Sequence, residues 1–161
     1  MSNAPEWLPA LRLLDELGGD WHRFLLELYN LFYRDFRMSR PRFRGLPVVY
    51  DTRISEGKEE GFWHLISEVD KDSGDRNVVL RRCERIAWVR PIIEQADDPR
   101  VSVWSNRRGT HRRILLWLEE QDYLVVLEEK KKFFVLVTAY CTDSEHTRRR
   151  LRQERRNTGS S

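Results

Sequence analysis

Short runs of β-branched and aromatic residues dominate the last third of the chain, and they constrain the fold more than any other feature. Four such runs cover residues 101–104, 113–118, 123–127 and 133–140. Short polar segments separate them, at residues 105–109, 119–122 and 128–132. Consecutive strands joined by short polar turns are typical of antiparallel hairpins. We therefore predict a four-stranded antiparallel β-meander.

The N-terminal region has helical patterns instead. Residues 8–17 predict a short helix that Gly18 and Gly19 end, and Asp20 is a candidate N-cap for a longer helix. One face of that longer helix carries an apolar stripe, formed by Trp21, Phe24, Leu25, Leu28, Leu31 and Phe32. The chain therefore begins with helical structure that has an apolar face to bury.

The remaining segments predict two more helices and one more strand. Residues 77–95 predict a helix that Pro91 ends or kinks, and residues 46–50 predict a short strand. A basic helix is expected from Ser144, with a disordered tail at residues 157–161. This order predicts an α+β fold in which N-terminal helices pack on one face of the sheet and a C-terminal basic helix follows. The other sheet face is then available for a ligand.

Composition narrows the class of protein. With 161 residues, of which 40% are hydrophobic, we expect a single domain over residues 1–161. The apolar runs have the length of strands, so no membrane partner is expected. Residues 1–9 lack a basic leader and a long apolar stretch, and Cys83 and Cys141 are too few for a disulfide framework or a zinc site. A cytoplasmic location is therefore expected.

Positive charge is concentrated rather than spread evenly. The formal net charge is +3, yet residues 144–156 contain six arginines and only two glutamates. Further arginine clusters lie at residues 76–90 and 100–113. Guanidinium groups pair bidentately with phosphates, so nucleic acid is one explanation for these clusters, and a GC-rich genome is the other.

Motifs for common catalytic sites are absent. The chain has no glycine-rich phosphate loop, no metal-ligand spacing and no serine nucleophile elbow, so we expect neither a metal nor a cofactor. His64 lies in the apolar segment GFWHLIS, where a buried histidine bonded to the backbone is the alternative to a functional one. Thr138 and Tyr140 share one face of the last strand, either as structural residues at the rim of the core or as two hydroxyls facing a phosphate.

An ordered set of short motifs carries a family resemblance. The motifs are LYNLFYRDF (28–36), GFWHLIS (61–67), RRCERIAWVRPIIE (81–94), VWSNRR (103–108), YLVVL (123–127) and LVTAY (136–140). In this order they resemble a phage- and mobile-element-associated branch of the barnase/EndoU/colicin/RelE-like nuclease fold, over most of residues 20–156. The resemblance implies one or two N-terminal helices on a four-stranded antiparallel sheet. It also implies a metal-independent RNase, often a toxin.

The resemblance assigns catalytic roles to four residues. RNases of this kind deprotonate a ribose 2′-hydroxyl, which attacks the adjacent phosphorus and leaves a 2′,3′-cyclic phosphate. His64 is implied as the general acid or base. Arg82 is a candidate to stabilise the phosphorane, and Thr138 and Tyr140 are candidates to position the phosphate or transfer a proton.

Further residues are candidates for binding the RNA substrate. Arg81 and Arg108 are expected to contact phosphate, and Ser67 is expected to orient the His64 ring or touch phosphate. Trp104 is a candidate to stack on a base, with a core aromatic as the alternative. Arg149 belongs to the basic C-terminal segment, which would add salt-sensitive affinity for RNA.

Two other classes of function remain open at the level of sequence. The same arginines fit a non-catalytic nucleic-acid-binding module in which His64 is structural. They also fit a protein-interaction partner in a toxin–antitoxin or phage-conflict system, whose arginines would pair with an acidic protein surface. For the RNase prediction, the expected partners are RNA and an antitoxin protein.

Overall fold

Both helices and strands form in a computed structural model that describes residues 4–158. The α-helices of this part of the chain are α1 (Trp21–Phe32), α2 (Glu60–Ile66), α3 (Leu80–Glu84), α4 (Val89–Glu94) and α5 (Glu145–Asn157). The strands are β1 (Arg42–Phe43), β2 (Leu46–Val49), β3 (Ile54–Ser55), β4 (Lys58–Glu59), β5 (Ser67–Val69), β6 (Arg76–Val78), β7 (Ser102–Arg108), β8 (His111–Leu118), β9 (Tyr123–Glu129) and β10 (Phe134–Cys141). The α+β class is therefore confirmed.

The main sheet has six strands, in the order β1-β2-β10-β9-β8-β7. Strands β7 to β10 pair antiparallel with their neighbours, and β2 pairs parallel with β10 through Val48 opposite Phe134 and Val49 opposite Val135. The prediction of a four-stranded antiparallel meander is not confirmed, because the sheet is larger and contains this parallel pair. The reason is that β2 pairs with a strand far along the chain, and no local pattern specifies such a partner.

Both faces of the sheet are covered. One face packs against α1 to α4 in the larger apolar core. The other face carries Trp104, Trp117 and Leu124, and these pack with the fully buried Leu151 of α5. The expectation of an open ligand-binding face is therefore wrong where α5 lies, because the basic helix has one apolar residue that docks there.

Local sequence explains where α1 begins and how it continues. The Asp20 side chain accepts a hydrogen bond from the backbone N–H of Arg23 at 3.3 Å, as the N-cap prediction required. Phe24 and Leu28 are fully buried on the predicted stripe. The helix then continues as a π-helix over Tyr33–Arg37. Residues 8–17 form only a 3₁₀ turn at Leu14–Leu17, with Gly18 in the left-handed conformation after it.

The helix predicted over residues 77–95 is broken into shorter pieces. It comprises the end of β6, then α3, a 3₁₀ turn at Ile86–Trp88, and α4. Pro91 lies in the first turn of α4. Backbone N–H groups in the first turn have no partner within the helix, so the proline, which lacks an N–H, does not end the helix there. The break falls at Arg85, the C-cap of α3.

The C-terminal helix begins where the sequence predicted. The Ser144 side chain accepts a hydrogen bond from the backbone N–H of Thr147 at 3.0 Å. Of the predicted tail, Asn157 is the last residue of α5, and residues 159–161 lie outside the described residues. Among residues 4–158, no helix has both the length and the apolar character needed to cross a membrane.

Candidate functional site

Helix α2 lies beside the edge of β10 and places His64 there. The hydroxyl of Thr138 on β10 donates to the His64 backbone carbonyl at 2.9 Å, which fixes the end of α2 against the strand. At the start of α2, Gly61 packs against the segment around Tyr50, and its N–H donates to the Asp51 carbonyl at 2.9 Å. Helix α2 is therefore held at both ends.

The His64 imidazole belongs to a network of charged groups. Its Nε2 lies 3.4 Å from Oε2 of Glu60, one helical turn earlier. The same carboxylate oxygen accepts a hydrogen bond from Nη2 of Arg76 at 2.8 Å. The Nη1 of Arg76 donates to the Ser67 hydroxyl at 3.0 Å. The imidazole is 37% exposed, so it is held in place yet reachable from solvent.

Its surroundings lower the pKa of His64. Partial burial is the largest cause, and it is opposed by the negative charge of Glu60 and reinforced by the positive charge of Arg76. Asp51 raises the same pKa and Arg53 lowers it by smaller amounts. The lowered pKa favours the neutral imidazole, which has a nitrogen lone pair with which to accept a proton.

A second cluster lies where α3 meets the end of β10. The Nη1 of Arg82 donates to the Ser67 backbone carbonyl at 2.7 Å, and its guanidinium lies over the Tyr140 ring at 5.8 Å from the centroid. Arg81 pairs with Asp143 at 2.5 Å. These side chains line an open cavity of about 270 Å³. Burial raises the pKa of the Cys141 thiol in its wall, so that thiol is not an activated nucleophile.

Two of the predicted hydroxyl groups are occupied by the protein itself. Ser67 is 3% exposed, and its hydroxyl donates to the Trp63 carbonyl at 2.5 Å while it accepts from Arg76. Thr138 donates to the backbone of His64. Their contacts therefore position Arg76 and α2, and neither hydroxyl is aimed at solvent.

The structure brings six of the nine predicted residues into one region and separates the other three. Thr138 contacts His64, while Ser67, Arg82 and Tyr140 are linked by the contacts just described. Arg81 lines the same cavity as Arg82. Arg108, Trp104 and Arg149 lie elsewhere, on β7 and α5. Because β7 is three strands from β10, the separation across the sheet is about 14 Å.

Trp104 is buried rather than open to a base. It is 5% exposed beneath α5, and its indole N–H donates to Glu154 at 2.8 Å. Arg108 and Arg149 are exposed, and their side chains have no hydrogen bond or ion pair with any residue in the described part of the chain. The sheet edge and α5 therefore present positive charge, but no stacking platform is formed by Trp104.

Sequence reasoning missed several residues of the His64 network. Glu60 could have been found from its position four residues before His64 on one helix face. Arg76 belonged to a recognised arginine cluster, but its role depends on the hairpin of β5 and β6, which pairs it with Val69. Asp51 and Arg53 reach His64 only through the packing of their loop against α2.

The residues described include no group of three or more histidines, cysteines, aspartates or glutamates placed to hold a metal ion. Comparisons with protein-family models, with curated proteins and with solved structures give no match for this chain.

Proposed function

We propose that the protein is a metal-independent endoribonuclease with His64 as its proton-transfer residue. One observation carries the proposal: a half-buried imidazole, whose pKa is lowered by its surroundings, is held beside the Glu60 carboxylate, with the guanidinium groups of Arg76 and Arg53 nearby. A neutral base next to fixed positive charge suits attack on an anionic phosphodiester.

The proposed reaction is an intramolecular transesterification. His64 accepts the proton of a ribose 2′-hydroxyl, and the resulting oxygen attacks the adjacent phosphorus. The bond from phosphorus to the 5′-oxygen breaks, so the products are a 2′,3′-cyclic phosphate and a 5′-hydroxyl. Arg76 and Arg82 would stabilise the charge that develops on the phosphorane, and Tyr140 would supply the proton for the 5′-oxygen.

Hydrogen bonds and ion pairs hold the His64, Arg76 and Arg82 side chains in position. Glu60 contacts both His64 and Arg76, so it orients an acid–base group and a cation together. Ser67 accepts from Arg76 through its hydroxyl and from Arg82 through its carbonyl. A single buried serine therefore ties the two arginines to the same short segment.

Helix α5 would provide affinity that does not depend on RNA sequence. Arg148, Arg152 and Arg155 form ion pairs with Asp122 and Glu119, which hold the helix on the sheet. Arg149 and Arg150 are exposed and have no such partner among residues 4–158. These two side chains are therefore free to contact phosphates.

Cleavage of total RNA in EDTA tests the proposal. The wild type, His64→Gln and the matched control His22→Gln are compared, since His22 is exposed on α1. We expect new ends with 2′,3′-cyclic phosphates from the wild type and His22→Gln, and at least a 100-fold loss in His64→Gln. RNA binding without cleavage by any variant, on free RNA and on ribosomes alike, would overturn the proposal and favour a non-catalytic binding module.

A toxin role and an antitoxin partner follow from the family resemblance and extend the proposal. If they apply, induced synthesis of the wild type stops bacterial growth, whereas His64→Gln at equal protein level does not. Normal growth with folded, RNA-cleaving wild type would contradict the toxin role and leave the cleavage activity standing.

A further inference from the structure

A polar cavity separate from the His64 network lies between the end of α1 and the loop before β3. Its volume is about 410 Å³, which is within the range that holds a small organic molecule. Phe36, Val49, Tyr50 and Ile54 form its apolar and aromatic walls. Glu59 lies in the wall as well, and Arg37 and Arg40 add positive charge.

Glu59 lines this cavity and has a buried carboxylate oxygen without a hydrogen-bond partner among the described residues. The residue is only 4% exposed, and its Oε1 accepts from the Tyr29 hydroxyl at 2.6 Å. The other oxygen, Oε2, is buried and has no hydrogen-bond partner among the described residues. Its nearest cationic neighbour is Nη1 of Arg37 at 3.8 Å, which is too long for a hydrogen bond. A buried acceptor without a donor is costly, so the geometry calls for an incoming N–H or O–H group.

Tyr29 keeps the first oxygen occupied at physiological pH. Burial, followed by the adjacent Glu59 charge, raises the pKa of the Tyr29 hydroxyl, so this group remains a donor. Burial raises the pKa of Tyr50 in the wall in the same way. Oε2 is therefore the carboxylate oxygen that has no donor among the described residues.

Charge around the cavity defines what the donor group must be. The Arg37 guanidinium already faces Oε2, so its positive charge offsets part of the attraction between the carboxylate and an ammonium group of a ligand, whereas a neutral N–H donor meets no such opposition. Aromatic walls favour a flat ligand. Arg40 is exposed and has no hydrogen bond or ion pair with a residue in the described chain, so it is free to bind an anionic group.

We propose that this cavity binds a nucleotide whose base carries an exocyclic amino group, with the amino group on Glu59 Oε2 and the phosphate at Arg40. A neutral aromatic amine joined to a phosphate meets all three requirements of acceptor, flat wall and cation. Two residues of the cavity wall are chain neighbours of the His64 network, since Tyr50 precedes Asp51 and Glu59 precedes Glu60. As a base-selecting subsite for RNA, the assignment rests on the proposed function; as a site for a free nucleotide, it does not.

Two matched pairs of nucleotides test the role of the amino group. CMP carries an amino group at position 4 where UMP carries an oxo group beside a ring N–H, and AMP and IMP differ in the same way at position 6. Calorimetry with the full chain should show about 10-fold tighter binding of CMP than UMP and of AMP than IMP, as expected for one hydrogen bond to a charged acceptor. Equal binding within each pair, or equal binding of ribose 5-phosphate, would overturn the proposal.

Variants separate the two ends of the ligand. In Glu59→Gln the Tyr29 hydroxyl still donates to the amide oxygen, so a donor replaces Oε2 and the amino preference disappears. Arg40→Gln should weaken the binding of all four nucleotides about equally. The matched control Arg23→Gln, at an exposed position of α1, should leave the binding of all four unchanged. A preference that survives in folded Glu59→Gln would overturn the assignment. If that variant does not fold, the nucleotide pairs on wild type still decide.

The outcomes distinguish this site from the proposed catalytic activity. RNA cleavage without any nucleotide preference in the binding assay would reject the cavity assignment and keep the RNase. Selective binding of CMP and AMP without RNA cleavage would reject the RNase and keep the cavity as a nucleotide site.

Discussion

Replacing Gly61 with alanine tests the close packing that holds the candidate site together. A Cβ at this position would lie 2.8 Å from Cβ and 2.9 Å from Cδ2 of Tyr50, and 3.2 Å from the Asp51 carbonyl oxygen. Favourable contacts between carbon atoms lie at about 3.5–4.0 Å. Two of these neighbours are fixed close to the backbone, so the segment 50–51 must move.

The expected loss of stability follows from two opposing effects. Overpacking of this kind costs about 1–3 kcal/mol, and exchanging glycine for alanine in a helix returns at most about 1 kcal/mol. We expect a net destabilisation of about 1–2 kcal/mol. For a chain of this length, that lowers Tm by roughly 2–8 °C.

Thermal unfolding and RNA cleavage should change together in this variant. Because Asp51 faces His64 and Tyr50 lines the cavity, movement of the segment disturbs both places. The control is Leu26→Ala on α1, where the side chain is 59% exposed and a change within about 0.5 kcal/mol is expected. A Gly61→Ala protein with unchanged or higher Tm would refute the packing argument.

Further predictions concern the pH dependence set by the His64 network, the packing of α5 on the sheet and the positive charge of α5. In the pH profile of kcat/KM, the fall in activity on the acid side should occur at a pH below the ordinary pKa of histidine. Arg76→Gln should move this fall to higher pH, because removing that positive charge raises the pKa of His64. The lowered pKa also means that the unfolded chain binds the His64 proton more tightly, so its contribution to stability is complete above the ordinary histidine pKa and falls as pH drops through it. Leu151→Ala should cost about 2–5 kcal/mol in chemical denaturation, since Leu151 is fully buried under α5; a smaller loss would show that the helix is not docked through it. The double variant Arg149→Gln, Arg150→Gln should keep its Tm but lower the salt dependence of RNA binding by about 1.4 in log–log slope, and an unchanged slope would place the RNA elsewhere.

Short-range patterns were sufficient to predict the elements that have strong local signals. The β-branched runs correspond to β7 to β10, the stripe after Asp20 corresponds to α1, and Ser144 caps α5. These signals act within a few residues, so one sequence contains them. The parallel pairing of β2 with β10 joins residues more than 80 positions apart, and the sequence of neither strand indicates which strand is its partner.

The site divides in the same way between local and tertiary causes. Glu60 and His64 share a helix face, and their contact follows from helical spacing alone. Arg76 reaches them because the turn between β5 and β6 folds it back. Glu59, by contrast, is buried and bonded to Tyr29 of α1, which lies 30 residues earlier in the chain. When residues far along the chain bury a charged side chain, the sequence around that side chain does not indicate the burial.

The pairing of arginines decides which of them are available to RNA. Arg81, Arg82 and Arg90 come from a cluster that the sequence associated with phosphate, but each bonds a carboxylate or a backbone carbonyl of this chain. An arginine already bonded in this way gains less from a phosphate than an unpaired one, because the existing partner must be shared or displaced. The number of arginines in the sequence is therefore larger than the number that are free to bind RNA phosphates. Under the proposed function, the unpaired side chains of α5 would bind the RNA backbone and the paired arginines near His64 would act on one phosphate, so we expect affinity and cleavage to respond to different substitutions.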